Sequence, residues 1–80
     1  MYNIGEVSKY LGISRDTQKF YESKGLINPK KNSGNGYREY DHFDIYDITT
    51  INFYREIDIE IKKIQEIKKN MSIEDLEFLL

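Results

Sequence analysis

Two short stretches near the start of the chain carry apolar residues at helical spacing, with a tight break between them. In the first, Ile4, Val7 and Leu11 form one stripe. Asn3 stands just ahead of it and Glu6 follows three residues later, the pattern of a capping box. Gly12 then stops the helix, Ile13 offers an apolar plug for the turn, and Ser14 caps a second helix whose positive end Asp16 favours. That second helix is expected from about Arg15 to Lys24. Helices joined by so short a connection cross steeply, as in a helix-turn-helix, and the second helix of such a pair can enter a DNA major groove.

After Gly25 the pattern changes. Leu26 and Ile27 are apolar, Pro29 forces an extended residue before it, and residues 30–36 read as a long turn. Tyr37-Arg38-Glu39-Tyr40 reads as a strand with Tyr37 and Glu39 on one face and Arg38 and Tyr40 on the other. The expected result is a small hairpin, a wing, which must lean on the helices because an isolated hairpin is marginal in water. Asp41 caps a third helix to about Glu56 with Ile48, Ile51 and Tyr54 facing inward. A fourth helix carries Ile61, Ile64 and Ile67, read as core because so short a chain needs them to close its interior. Ser72-Ile73-Glu74-Asp75 resembles another helix start, and the apolar pattern of Leu76, Leu79 and Leu80 is still running at the chain end. The fold class is therefore mainly α: a winged helix-turn-helix with a two-stranded hairpin wing and two supporting helices. Residues 1–70 form one domain and residues 71–80 begin a C-terminal helix.

The second helix carries the chemistry. Arg15, Lys19 and Phe20 fall on one side, with Ser14 at its start and Thr17 and Tyr21 flanking. Arginine can bond bidentately to a guanine edge, and lysine and tyrosine can bond phosphates. Lys30, Lys31 and Arg38 add three positive charges on or beside the wing. Each residue alone also reads as an ordinary surface charge or core aromatic; the helix and wing together favour DNA.

Ile4-Gly5-Glu6-Val7, Gly12-Ile13-Ser14-Arg15-Asp16-Thr17, Phe20-Tyr21-Glu22, Lys24-Gly25-Leu26-Ile27 and Asn35-Gly36-Tyr37-Arg38-Glu39-Tyr40, in that order and spacing, resemble the MerR family of bacterial transcription regulators. The resemblance runs from Ile4 to about Ile67. It implies an N-terminal winged helix-turn-helix domain in which Arg15 and Lys19 face the major groove, Tyr21 binds phosphate, and Arg38, with Tyr37 beside it, holds the flanking backbone. It further implies a homodimer on a near-palindromic promoter element, distorted so that RNA polymerase can engage. In MerR relatives a dimerisation helix begins near residue 71, so residues 71–80 would be its truncated start. Four positions depart from the family pattern. Gln18 replaces a usual leucine, Lys19 an arginine, Phe20 a tyrosine, and Asp58 a glycine. Lysine exchanges a planar fork for a point charge, and aspartate tolerates a left-handed backbone less well than glycine.

Composition adjusts this picture in places. The 80 residues hold no cysteine, which fits a reducing cytoplasm and excludes thiolate metal sensing within the chain. One histidine, His42, cannot build a metal site alone and reads as a surface residue; no cofactor is implied. No apolar run approaches a membrane span, and nothing ahead of Ile4 has the make-up of a signal peptide. The net charge of -2 conceals an asymmetry. Residues 1–40 hold seven Lys or Arg against four Asp or Glu, while residues 41–80 hold five against ten. The positive half contains the proposed recognition helix and wing, and local charge governs phosphate binding. No nucleophile, base and orienting group come together in a readable pattern, so an enzyme is not expected. Sequence-specific DNA binding for transcription control is the leading reading. An excisionase-like architectural protein that bends DNA, and a protein-interaction module without nucleic acid, stay open beside it.

Overall fold

The computed structural model describes residues 1–70. Helix α1 spans Ile4–Leu11 and α2 spans Arg15–Ser23; strands β1 (Lys30–Lys31) and β2 (Arg38–Glu39) form the wing; α3 spans His42–Glu56 and α4 Ile61–Asn70. The C-terminal helix expected from Ser72 lies outside the described residues.

Local chemistry explains the helix-turn-helix. The Asn3 side chain accepts from the Glu6 amide at 2.8 Å, and the Glu6 carboxylate accepts from the Asn3 amide at 3.0 Å, closing the capping box. Gly12 takes a left-handed conformation, φ 67°, and its N–H reaches the Ser8 carbonyl at 3.0 Å. Ile13 is buried as the plug of the turn, and the Ser14 hydroxyl accepts from the Thr17 amide at 3.0 Å.

The wing differs from its expected outline. Lys30 and Lys31 belong to a strand, not to the turn, and pair antiparallel with Glu39 and Arg38. The cause is Asn32, whose side-chain oxygen accepts from the amides of Gly34 (2.7 Å) and Asn35 (3.1 Å). Its backbone carbonyl also accepts from Gly36 N–H at 2.8 Å. Asn32, with Asn35 whose side-chain oxygen accepts from the Tyr37 amide at 2.9 Å, thus folds the turn, which leaves the lysines ahead of it free to pair. Tyr40 leaves the strand and exchanges two backbone hydrogen bonds with Tyr2, at 2.7 and 2.9 Å.

The four helices and the segments flanking the wing converge on one core in which Val7, Tyr21, Leu26, Tyr40, Ile48, Ile51 and Ile64 are buried. Each fully buried aliphatic side chain there contributes roughly 1.5–3 kcal/mol. Ile64 is enclosed and Ile61 and Ile67 are half-buried, so the isoleucine stripe of α4 serves the interior. Helix α3 runs from an Asp41 capping box to Glu56, as the pattern predicts. It is apolar on two sides: Ile48 and Ile51 face inward, while Phe43, Tyr46 and Phe53 are exposed. Asp58 adopts the left-handed conformation, φ 64°, in the turn to α4. From there α4 braces the segment after α2. Gln65 donates to the Lys24 carbonyl at 2.8 Å, and Lys68 donates to the Leu26 carbonyl while lying 3.4 Å from the Asp47 carboxylate.

Candidate nucleic-acid interface

Helix α2 divides cleanly into two faces. Gln18 and Tyr21, one turn apart, point into the core; Arg15, Lys19 and Phe20 are exposed. The sequence reading puts Tyr21 beside the exposed face; in the structure it is only 3% exposed and its ring packs against the apolar cluster. Burial pushes its hydroxyl pKa up. Adjacent positions on a helix are splayed around its axis, and here Phe20 takes the outer place, with the Lys24 ammonium 5.6 Å from its ring centre. The Ser14 and Thr17 hydroxyls bond each other at 2.8 Å at the start of α2, so both serve the cap.

Gln18 is fully buried. Its amide nitrogen is shared between the Ile4 and Ile13 carbonyls, each at 3.3 Å, tying α1 to α2. Its side-chain oxygen has no hydrogen-bond partner among the described residues.

Helix and wing meet across a cleft of about 750 Å³, lined by Arg15 and Lys19 from α2 and by Tyr37 and Arg38 from the wing. Arg15, Lys19 and Arg38 thus share one side of the molecule. Glu22 also lines this cleft, and Arg38 grips it with two donors, Nε to Oε1 at 2.6 Å and Nη2 to Oε2 at 2.7 Å. That hydrogen bonding, with the nearby charges of Arg38 and Lys31 acting in the same sense against burial, holds the Glu22 carboxyl below its ordinary range. The pairing also neutralises the one acid in the cleft lining and fixes the wing to the recognition helix. Its partners lie 16 residues apart, and neither position announces the other in sequence. On the wing, Lys30 and Lys31 are exposed on β1 outside the cleft lining, and Tyr37 is 73% exposed. Asn32 donates to the Glu39 carboxylate, occupying the wing's own acid. His42 is exposed at the first residue of α3, as expected. Among the described residues, no cluster of His, Cys, Asp or Glu could hold a metal ion, and no helix is long and apolar enough to cross a membrane.

Comparison with known proteins decides the family. Residues 2–71 match the family model described as MerR HTH family regulatory protein. The chain belongs to the MerR HTH family. Among MerR relatives, it is 38% identical over 64 residues to the HTH-type transcriptional regulator AdhR of Bacillus subtilis, covering 80% of this chain and 46% of that protein. The solved N-terminal part of the Bacillus subtilis multidrug transporter activator, MtaN, superposes with a TM-score of 0.80 at 27% identity, covering 95% of this chain and 74% of that one. HiNmlR, a MerR family regulator lacking the sensor domain and solved bound to promoter DNA, shares the fold with a TM-score of 0.78 at 21% identity, over 98% of this chain and 66% of that one. The chain spans less than half the length of AdhR. Winged helix-turn-helix architecture is thus established for this MerR domain.

Proposed function

We propose that this chain is the DNA-binding unit of a MerR-type transcriptional regulator. In this reading α2 lies in the major groove, Arg15 reads a base edge, and Lys19 supplies a point charge to a base or phosphate. Tyr37 and Arg38, with Lys30 and Lys31, hold the flanking backbone from the wing. The supporting observation is the shared cleft: two elements distant in sequence bring Arg15, Lys19, Tyr37 and Arg38 to one concave surface whose only acid, Glu22, is already paired. The full protein would act in the cytoplasm as a homodimer on promoter DNA, with half-sites about one helical turn, roughly 34 Å, or a multiple apart. RNA polymerase would be engaged through the distorted promoter. The role is binding, not catalysis.

Selection of bound duplexes from a random pool, followed by salt titration on the winner, tests this. Affinity should fall on a log-log plot with a slope of about -0.9 per phosphate neutralised. Failure to bind any duplex at low salt would refute it. Equal affinity for selected and random duplexes would instead favour an architectural, bending role.

A further inference from the structure

The five glycines fall into two kinds, with Gly5 in a helix and Gly34 in the wing turn on one side and Gly12, Gly25 and Gly36 on the other. Those three have positive φ, where a side chain is strained; Gly5 does not, and it sits in the first turn of α1. Backbone conformation therefore gives no reason for glycine there. Within a helix, glycine is less favourable than alanine because it loses more backbone freedom on folding. Space supplies a reason. A Cβ on Gly5 would lie 2.7 Å from Nη2 and 3.5 Å from Cζ of Arg15, and 3.3 Å from the Asn3 side-chain oxygen.

We infer that Gly5 is a positioning residue that sets where the Arg15 guanidinium lies, and so a determinant of base specificity. The two neighbours respond differently to an added methyl. The Asn3 oxygen is fixed by the capping box at 2.8 Å from the Glu6 amide. Arg15 makes no hydrogen bond or ion pair among the described residues, and its guanidinium ends a flexible stem. The fork moves and the cap stays. Gly5 and Arg15 line the same cleft, so the displaced group is the one offered to DNA. A bidentate contact depends on the orientation of a planar fork, and the space that a side chain at position 5 would fill is where one end of that fork lies. This inference rests on the reading that Arg15 contacts a base.

A double-mutant cycle tests it. Wild-type chain, Gly5→Ala, Arg15→Ala and the double variant are titrated by fluorescence anisotropy against the selected duplex, and the thermal midpoint of each is measured. Arg15→Ala should weaken binding by about 5- to 150-fold. Gly5→Ala and Gly5→Ser should each weaken it several-fold in the wild-type background and not at all in the Arg15→Ala background. Their thermal midpoints should not fall, and selection with Gly5→Ala should relax the same base position that Arg15→Ala relaxes. Equal losses in both backgrounds, unchanged affinity for both Gly5 variants, or a clear fall in midpoint would overturn the role of Gly5 alone. An Arg15→Ala variant that binds like wild type would instead remove Arg15 as a reader, and Gly5 with it.

Discussion

Replacing Gln18 by leucine should stabilise the domain. The side chain is fully buried and its oxygen lacks a partner, a burden of about 1–3 kcal/mol for a group taken out of water. Against this stand two bonds from one amide nitrogen, both at the long distance of 3.3 Å. Such bonds contribute at most about 0.5–1.5 kcal/mol each. The Ile4 carbonyl keeps its place in the α1 hydrogen-bond ladder when the amide goes. The Ile13 carbonyl, which has no other backbone partner among the described residues, loses its donor and offsets part of the gain. Leucine also adds apolar surface to a site already bounded by Val7 and Ile13. The balance is a gain of about 1 kcal/mol, which for a domain of this size raises the thermal midpoint by about 4–8 °C. Thermal melts and urea titrations of both proteins, followed by circular dichroism, measure it. DNA affinity should be unchanged, because Gln18 does not line the cleft. A loss of stability of about 1 kcal/mol or more would refute the reasoning, and would mean that the amide joining α1 to α2 outweighs its orphan oxygen.

Other outcomes follow from the same geometry. Glu22→Gln should release the wing from α2, weakening DNA binding while leaving the far-ultraviolet spectrum intact; unchanged affinity would show that the pairing does not orient the wing. Because the Glu22 carboxyl is held below its ordinary range, its contribution to stability should be complete above that range and vanish as pH falls through the lowered value. Acid titration of wild type and Glu22→Gln should therefore converge at low pH, and parallel curves would contradict the assignment. Lys31→Ala should weaken all duplexes alike and reduce the salt slope by about 1, whereas an effect confined to the selected sequence would mean base contact. Asp58→Gly should stabilise by about 0.5–1 kcal/mol by relieving the left-handed strain at φ 64°, and a fall in urea midpoint would show that the aspartate is compensated.

Capping chemistry was the most legible part of the chain. Asn3, Gly12, Ser14 and Asp41 each act within a few residues of their own position, and the structure places every one where the pattern put it. Asp58 was equally readable, since its departure from a glycine position marks the left-handed turn it adopts. Contacts between distant residues were not readable. Helix α2 is so polar that its few apolar positions do not define its inner face, and the burial of Tyr21 beside Gln18 emerges only when α1 and the core close around it. The Glu22–Arg38 pairing and the place of Arg15 over Gly5 depend on how wing and helices are stacked. The wing itself was misread at Lys30 and Lys31 because lysine pairs reveal little about pairing; the signal lay in Asn32, an asparagine ahead of Gly34 and Gly36 that folds the turn with its own side chain.

The two backbone hydrogen bonds between Tyr2 and Tyr40 act as a clasp on the segment they enclose. Every residue proposed to face DNA lies between its two halves, so first helix, proposed reader and finger form one buckled strap. A pull on the finger is felt at the start of the chain, and extra residues fused ahead of Met1 would begin one step from the buckle.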